Sequence, residues 1–235
     1  MKVVVRTDRG NVMPVNQDTA LILEGAFSAY AVADGMGGHK GGNVASAMAI
    51  DAVRRTLEQK TPDEDTLRQC FILANDEIFV RQSEDERLSG MGTTLTILWD
   101  AGSSFYLGHV GDSRCYLLRE ETLYQMSRDH SLVAELVRDG VLRPEEADTY
   151  PYRNVITRAV GTSKHLNPDI TMLEKQKGDR WLICSDGLTE YVKPDALLSL
   201  MQIEDMDEAA DRMMQRALCL GGRDNITLVL LEVDA

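Results

Sequence analysis

The residues with the clearest chemical potential in this sequence are five aspartates, each at the end of an apolar segment or in the turn after it. They are Asp18, Asp34, Asp112, Asp186 and Asp224. Each of them alone is more simply explained as a turn former or a helix cap, because aspartate and Asp-Gly are common in turns. Several carboxylates converging at one edge of a core, however, would repel one another unless cations lay between them. Their number therefore predicts a cation site.

The residue types available at such a site favour a hard divalent cation. Glycine follows both Asp34 and Asp186, so a backbone carbonyl can approach the same point as the carboxylate. Oxygen ligands with retained waters suit Mg²⁺ and Mn²⁺, and the sequence has no twelve-residue calcium loop. The four cysteines are far apart, without C-x-x-C spacing or a nearby histidine pair, so we expect buried, reduced thiols and no zinc site.

The glycine-rich segment 35–42 invites comparison with nucleotide-binding loops, since it follows a predicted strand and precedes a predicted helix. It fits neither nucleotide template. Lys40 stands where G-x-G-x-x-G requires its last glycine, and no Gly-Lys-Ser/Thr is present in the sequence. A flexible strand-to-helix turn explains the glycines but leaves Asp34 and His39 without a role.

The composition restricts the class of protein. A formal charge of −13 repels phosphate polymers and anionic lipids, so we expect neither a nucleic-acid nor a membrane partner. No apolar run approaches the length of a signal sequence or a bilayer span, which predicts a soluble, cytoplasmic protein. The length of 235 residues favours a single domain, residues 1–235.

The order of the predicted elements indicates an α+β fold. After strand-like segments at the start, a helix pair is predicted at about 43–60 and 66–82. Three strands between 93 and 118 are so closely spaced that we expect hairpins, with residues 111–113 as the last tight turn. A polar stretch with two short helices, about 128–165, is predicted to be an inserted flap. Further strands and a second helix pair complete two antiparallel sheets with helices on their outer faces.

Eight short motifs resemble the bacterial branch of the metal-dependent protein phosphatases, the protein phosphatase type 2C family. They run in family order over nearly the whole chain, which makes a chance resemblance improbable. The motifs are Asn16-Gln-Asp18, Asp34-Gly-Met-Gly-Gly-His39, Met91-Gly-Thr-Thr94, Val110-Gly-Asp-Ser-Arg114, Asp129-His-Ser-Leu132, Asn154-Val-Ile-Thr-Arg-Ala-Val-Gly161, Cys184-Ser-Asp-Gly187 and Asp224-Asn-Ile-Thr227.

The resemblance implies a central β-sandwich flanked by helices on both faces, in α-β-β-α layers, and two or three bound ions of Mn²⁺ or Mg²⁺. The implied ligands are Asp18 through water, Asp34, the Gly35 carbonyl, Asp112, Asp186 and Asp224. Asp34 would bridge two ions, and it is expected to be catalytic together with Asp186. His39 is the implied general acid, although animal relatives carry a histidine directly after Asp-Gly, where this chain has Met36.

The implied reaction is the hydrolysis of phosphoserine and phosphothreonine in proteins by a metal-activated bridging water. Two cations would lower the pKa of that water and neutralise charge on the phosphoryl oxygens during in-line displacement. The expected partners are phosphorylated protein substrates and, by the same resemblance, a cognate bacterial serine/threonine kinase. We expect the chain to be a monomer.

One position departs from the family. Relatives usually place an arginine that grips the substrate phosphate five residues before Asp18, and this chain has Met13 there. The nearest alternatives by motif position are Arg9, Lys40 and Arg158, and Arg158 on the flap side is the prediction. The competing explanation for Arg158 is an ion pair with a surface carboxylate.

Two other functions stay open. A non-catalytic pseudophosphatase that binds phosphoproteins has Met13 as its only support, because no aspartate ligand is missing. A phosphatase of a sporulation or stress partner-switching system would usually carry sensor domains, for which we expect no room in this chain.

Overall fold

The computed structural model describes residues 1–37, 41–147 and 149–234. Two antiparallel sheets pack face to face, and helices cover both outer faces. The strands are β1 (Lys2–Asp8), β2 (Asp18–Leu23), β3 (Ala29–Met36), β4 (Gly92–Thr93), β5 (Leu95–Asp100), β6 (Ser104–Val110), β7 (Arg114–Arg119), β8 (Thr122–Gln125), β9 (Asp169–Glu174), β10 (Arg180–Cys184) and β11 (Ile226–Glu232). The helices are α1 (Gly42–Leu57), α2 (Glu64–Glu84), α3 (Leu132–Arg138), α4 (Pro144–Ala147), α5 (Asp186–Thr189), α6 (Pro194–Met201) and α7 (Met206–Leu220), with a 3-10 helix at Glu86–Leu88.

The strand order explains how distant parts of the sequence meet. One sheet has the order β1-β11-β10-β7-β8, so the first and last strands of the chain are paired. The other has the order β2-β3-β5-β6-β9, and β4 extends the pairing at the end of β3. All of these pairs are antiparallel, which confirms the predicted α+β sandwich.

The inner strands β3, β5, β10 and β11 are mostly apolar on both faces because both of their faces are covered. On β10, Trp181 and Ile183 face the opposite sheet, whereas Leu182 and Cys184 face the helices. This alternation follows from the two-residue period of a strand. Trp181 packs edge-on against Phe105 of the other sheet, with ring centroids 5.3 Å apart. Burial of these two aromatic rings stabilises the packing of one sheet against the other.

Two helix layers complete the core. Helices α1 and α2 cover the sheet that contains β3, and α5 to α7 cover the sheet that contains β11. Helices α2 and α7 begin at aspartate caps: Asp63 accepts a hydrogen bond from the Thr66 amide, and Asp205 accepts one from the Glu208 amide, each at 2.8 Å. Such caps satisfy amide groups that have no partner within the helix.

The predicted hairpin at residues 111–113 is wrong. Strand β6 belongs to one sheet and β7 to the other, so this tight turn carries the chain across the sandwich. The turn is close-packed, because a side chain on Gly111 would lie 2.5 Å from Thr94 and Gly111 has φ of +111°. Spacing alone does not separate a hairpin from such a corner, since both need only a few turn residues.

Strand β8 was missed for a related reason. The turn before it contains Glu120 and Glu121, both with positive φ, at 48° and 64°. Hairpin turns of this geometry usually carry Asn or Gly, so the sequence had no recognisable turn signal here.

The region 128–165 contains α3 and α4, as expected, and an isolated bridge between Thr93 and Val160 connects it to the core. A second isolated bridge, between Ser131 and Ile156, lies within the region. Whether this region acts as a flap stays a prediction. Among the described residues, no helix combines the length and apolar character that a bilayer span requires.

Candidate active site

The five predicted aspartates gather at one end of the sandwich. Asp18 starts β2 and lies directly opposite Asp34 on β3. Asp186 follows β10 and opens α5, while Asp224 precedes β11 and Asp112 lies in the turn from β6 to β7. Strand ends from both sheets therefore supply the cluster, which explains why residues so far apart in sequence come together.

Burial and mutual repulsion raise the pKa values of four aspartates in the cluster. Burial, and then the charges of the four other aspartates, raise the pKa of Asp34 well above its ordinary value. Burial, followed by repulsion from Asp112, Asp224 and Asp18, does the same for Asp186. Burial also raises the pKa values of Asp18 and Asp112 to about 6 each. Desolvation is the main cause of these shifts, and the neighbouring negative charges add to it.

Several of the carboxylate oxygens have no protein partner. Asp18, Asp112 and Asp186 each keep one buried Oδ1 atom without a hydrogen bond among the described residues. A buried carboxylate oxygen without a donor is costly, and a cation removes that cost. Among the described residues, no group of three or more His, Cys, Asp or Glu side chains is positioned to hold a metal ion by itself. An ion here would complete its coordination with carbonyls and water, as Mg²⁺ commonly does.

Ser185 connects the two sheets at this end. Its hydroxyl donates to Asp18 Oδ2 at 2.8 Å and accepts a hydrogen bond from the Thr227 amide at 2.9 Å. The Ser185 side chain is fully buried, so this hydroxyl has no access to water as an alternative partner. Ser185 therefore holds one oxygen of Asp18 and leaves the other free.

Backbone contacts set the position of Asp34 and Gly35. The Thr94 hydroxyl accepts from the Asp34 amide at 2.9 Å, and the Thr93 hydroxyl donates to the Asp34 carbonyl at 2.9 Å. Gly35 is closely enclosed, since a side chain there would lie 2.1 Å from the Gly42 carbonyl oxygen. Only glycine allows β3 to pass this close to the start of α1.

Two buried histidines fix the turn that carries Asp112. The Gly111 amide donates to His130 Nδ1 at 3.0 Å, and His109 Nε2 lies 3.0 Å from the Gly111 carbonyl oxygen. Because His130 Nδ1 accepts, its proton lies on Nε2, which is 3.2 Å from Asp169. Gly111, the residue before Asp112, is thus held through both its amide and its carbonyl group.

Taken together, the oxygen-only donor set, the unpartnered Oδ1 atoms and the mutual repulsion fit hard divalent cations better than zinc or copper. A sequence model of the family described as protein phosphatase 2C matches residues 12–220. The chain belongs to the protein phosphatase 2C family.

Known protein phosphatase 2C relatives match most of the chain. The serine/threonine protein phosphatase PstP of Mycobacterium tuberculosis is 41% identical over 236 residues, which cover 99% of this chain and 45% of PstP. This chain thus spans less than half of PstP. The serine/threonine phosphatase stp of Listeria monocytogenes is 38% identical over 238 residues, covering 97% of this chain and 94% of stp.

A solved protein phosphatase 2C structure has the same fold. The crystal structure of the catalytic domain of PstP in complex with two manganese ions matches with a TM-score of 0.89 and 37% identity. The match covers 100% of this chain and 98% of that domain. The agreement extends over both sheets and both helix layers.

The structure brings the five aspartates and Gly35 of this protein phosphatase 2C chain together, but it engages Arg158 elsewhere. Arg158 donates to Asp169 Oδ1 at 2.7 Å and to the Asn167 carbonyl at 3.0 Å. It would have to leave Asp169 to reach a substrate, so its phosphate-binding role stays a prediction. His39 and Lys40 lie outside the described residues.

Sequence reasoning missed the residues that hold this phosphatase-type cluster in place, chiefly Ser185, Thr94 and Asn225. Asn225 is buried, and its side-chain amide donates to the Arg9 carbonyl at 2.9 Å and the Val15 carbonyl at 3.0 Å. All three lie within the quoted motifs, directly beside or close to an aspartate or its strand partner. That adjacency was the available signal, but the direction of each side chain depends on the tertiary structure.

Proposed function

We propose that this chain is a metal-dependent phosphatase that hydrolyses phosphoserine and phosphothreonine in proteins. The observation that carries the proposal is the cluster of five aspartates with unpartnered buried oxygens at one end of a protein phosphatase 2C fold. The manganese complex of the related PstP domain supports Mn²⁺ or Mg²⁺ as the ions, two or three in number.

The proposed ligands are the residues inferred from the resemblance. Asp34 would be a ligand common to two ions, with Asp186 and Asp224 as further ligands of one and the Gly35 carbonyl as a further ligand of the other. Asp18 acts through water, Asp112 with Asp186 serves a third ion, and His39 is the proposed general acid. When bound, such ions activate a water for in-line attack and neutralise charge on the phosphoryl group.

The chain's own contacts prepare these residues for that role. Ser185 keeps Asp18 in one orientation through its 2.8 Å hydrogen bond. Thr94 holds the Asp34 backbone through its 2.9 Å hydrogen bond from the Asp34 amide. Preorganised ligands need little rearrangement when charge develops in the transition state.

A cysteine nucleophile is a poor alternative. Cys184 lies two residues before Asp186, but it is fully buried, and this burial raises its pKa to about 12. A thiol with that pKa stays protonated at neutral pH and is a weak nucleophile. The proposed metal-dependent hydrolysis by water therefore does not require a covalent phosphoenzyme.

The finer assignments are proposals as well. We propose phosphorylated proteins as substrates, a bacterial serine/threonine kinase as the opposing enzyme, a cytoplasmic location and a monomeric state. We also propose that residues 1–235 form one catalytic domain in which about 128–165 act as a flap.

The decisive experiment measures hydrolysis of p-nitrophenyl phosphate and of a phosphothreonine peptide, with Mn²⁺ and with excess chelator. Turnover should require Mn²⁺ and disappear in chelator. Undiminished turnover in chelator would exclude the mechanism. Binding of the peptide without any turnover in Mn²⁺ would favour the pseudophosphatase, which none of the comparisons supports.

A further inference from the structure

The loop between β1 and β2 is fixed at both ends beside two of the aspartates. The Asn225 side chain donates to the carbonyls of Arg9 and Val15 and accepts from the Gln17 amide at 2.8 Å. Asn225 directly follows Asp224, and Gln17 directly precedes Asp18. The loop thus spans the short distance between two carboxylates that repel each other.

The start of this loop is pressed against Asp224. Gly10 has φ of +76°, and a side chain on it would lie 2.2 Å from the Asp224 carbonyl oxygen. The Asn11 amide donates to the Gly222 carbonyl at 2.6 Å, so the next residue is tied to the same segment. The backbone of Arg9 is therefore held in place at the border of the carboxylate cluster.

The Arg9 side chain, in contrast, is exposed and nearly uncommitted. Its one hydrogen bond within the described residues is a long contact of 3.4 Å from Nη1 to the Met13 carbonyl oxygen, and it forms no ion pair there. A contact of that length is weak. It nevertheless places the guanidinium beside position 13, where the resemblance implies a phosphate-binding arginine and this chain has methionine.

The other arginines considered are less suitable. Arg114 follows the Asp112 turn but is bound to Asp129, with three nitrogen-to-oxygen distances between 2.6 and 3.0 Å. Arg158 is paired with Asp169 at 2.7 Å. Releasing either one would break an ion pair, whereas Arg9 can move without breaking one.

We infer that Arg9 binds the substrate phosphate and replaces the guanidinium that position 13 lacks. The inference rests on the proposed function, because it names a substrate contact of that site. A phosphate monoester carries charge on oxygens that cannot all face cations held by the aspartates. A guanidinium on a fixed backbone can bind two phosphate oxygens through two parallel hydrogen bonds.

The test compares Arg9→Ala and Arg9→Lys with wild type, in Mn²⁺, on p-nitrophenyl phosphate. We expect KM to rise about tenfold in Arg9→Ala with kcat changed less than about twofold, because the contact exists in both ground and transition states. Arg9→Lys should lie between, since an ammonium group keeps the charge but not the fork. The inhibition constant of inorganic phosphate should rise in parallel with KM.

Two further variants separate a specific contact from a change of local charge. Arg223→Ala removes an exposed arginine next to Asp224 and should leave KM within about twofold of wild type. Met13→Arg in the Arg9→Ala background should restore KM, because it returns a guanidinium to the same place. An unchanged KM in Arg9→Ala, or an equal rise in Arg223→Ala, would overturn the inference.

Calorimetric titration with inorganic phosphate in Mn²⁺ distinguishes failure of this inference from failure of the proposed function. It requires no turnover, and Arg9→Ala should weaken the phosphate Kd by about tenfold. A wild-type protein that binds phosphate without turnover would contradict the proposed function alone. Equal phosphate affinity in wild type and Arg9→Ala would contradict the role of Arg9, whatever the turnover.

Discussion

The middle of the interface between the two sheets consists of apolar side chains, whereas one end of that interface consists of carboxylates. In the middle, the apolar side chains of Trp181, Phe105 and Val229 pack together and are fully buried. At the end, five aspartates face one another, and burial with mutual repulsion raises the pKa of Asp34 and Asp186 well above the ordinary value. The same two sheets thus contain a region that stabilises the fold and a region that weakens it.

This difference assigns separate tasks to the two regions. Apolar burial in the middle contributes free energy of folding in roughly linear proportion to area. The carboxylate end costs free energy without cations, and natural proteins commonly accept such local instability where function requires it. A substitution in the middle should therefore reduce stability, and one at the end should reduce activity while sparing or improving the stability of the metal-free protein.

The largest effect should follow from Asp34→Asn or Asp186→Asn. Turnover in Mn²⁺ should fall at least about a hundredfold, because ligand loss removes several kcal/mol of transition-state stabilisation. The metal-free variants should unfold at the wild-type temperature or slightly above it, since one repelling charge is gone. Asp76→Asn, on the exposed face of α2, is the matched control and should change neither quantity. Near wild-type rates at saturating Mn²⁺ would show that these are ordinary turn aspartates.

Trp181→Ala should give the largest loss of stability, about 3–5 kcal/mol by urea unfolding, because it leaves a cavity between the sheets. Trp181→Phe should cost less. Its indole Nε1 has no hydrogen-bond partner among the described residues, so the change removes an unsatisfied donor together with some apolar surface. A loss below about 1 kcal/mol in Trp181→Ala would mean that the middle of the sandwich is not the stabilising region.

A smaller, pH-dependent effect is expected for Asp112→Asn without metal. The pKa of Asp112 is raised to about 6 in the folded chain, chiefly by burial. Its contribution to stability is therefore complete below about pH 4 and is lost as the pH rises through about 6. The variant cannot ionise, so its stability relative to wild type should increase from about pH 4.5 to about pH 7.5, by on the order of 1–3 kcal/mol.

Urea unfolding in chelator at the two pH values measures this difference, and subtraction removes the titration of groups common to both proteins. Adding Mn²⁺ should reverse the sign at the higher pH, because metal binding requires ionised carboxylates. A stability difference that does not change with pH would show that Asp112 is already solvated.

The smallest effect is expected for Cys184→Ala, which lies next to the site but faces the helix-covered core. Turnover should stay within about twofold of wild type, since the buried thiol takes no part in the chemistry. Stability should fall slightly from lost packing, as it should for the control Cys70→Ala, which is buried elsewhere. A folded, metal-binding Cys184→Ala protein without activity would support a cysteine mechanism.

The sequence predicted those elements of the fold that depend on local residue patterns. Helical spacing located the long helices α1 and α2 within a few residues of their observed bounds. Strand β8 was missed because two glutamates adopt positive φ in the turn before it. The hairpin expected at 111–113 was wrong, because a few turn residues can join strands of one sheet or of two.

For the candidate site, the sequence by itself determined which residues are candidates for binding a cation, since an aspartate at the end of an apolar segment is a local feature. Only the tertiary structure decided how those residues are held and which arginine is free. Asn225 reaches the Arg9 carbonyl across 216 positions of sequence, and Ser185 reaches Asp18 across 167. Arg158 forms an ion pair with Asp169, whereas the Arg9 side chain is exposed on a loop whose backbone is fixed. Such contacts depend on which strands become neighbours. The packing of the whole chain decides this, so the sequence next to each residue does not reveal its partner.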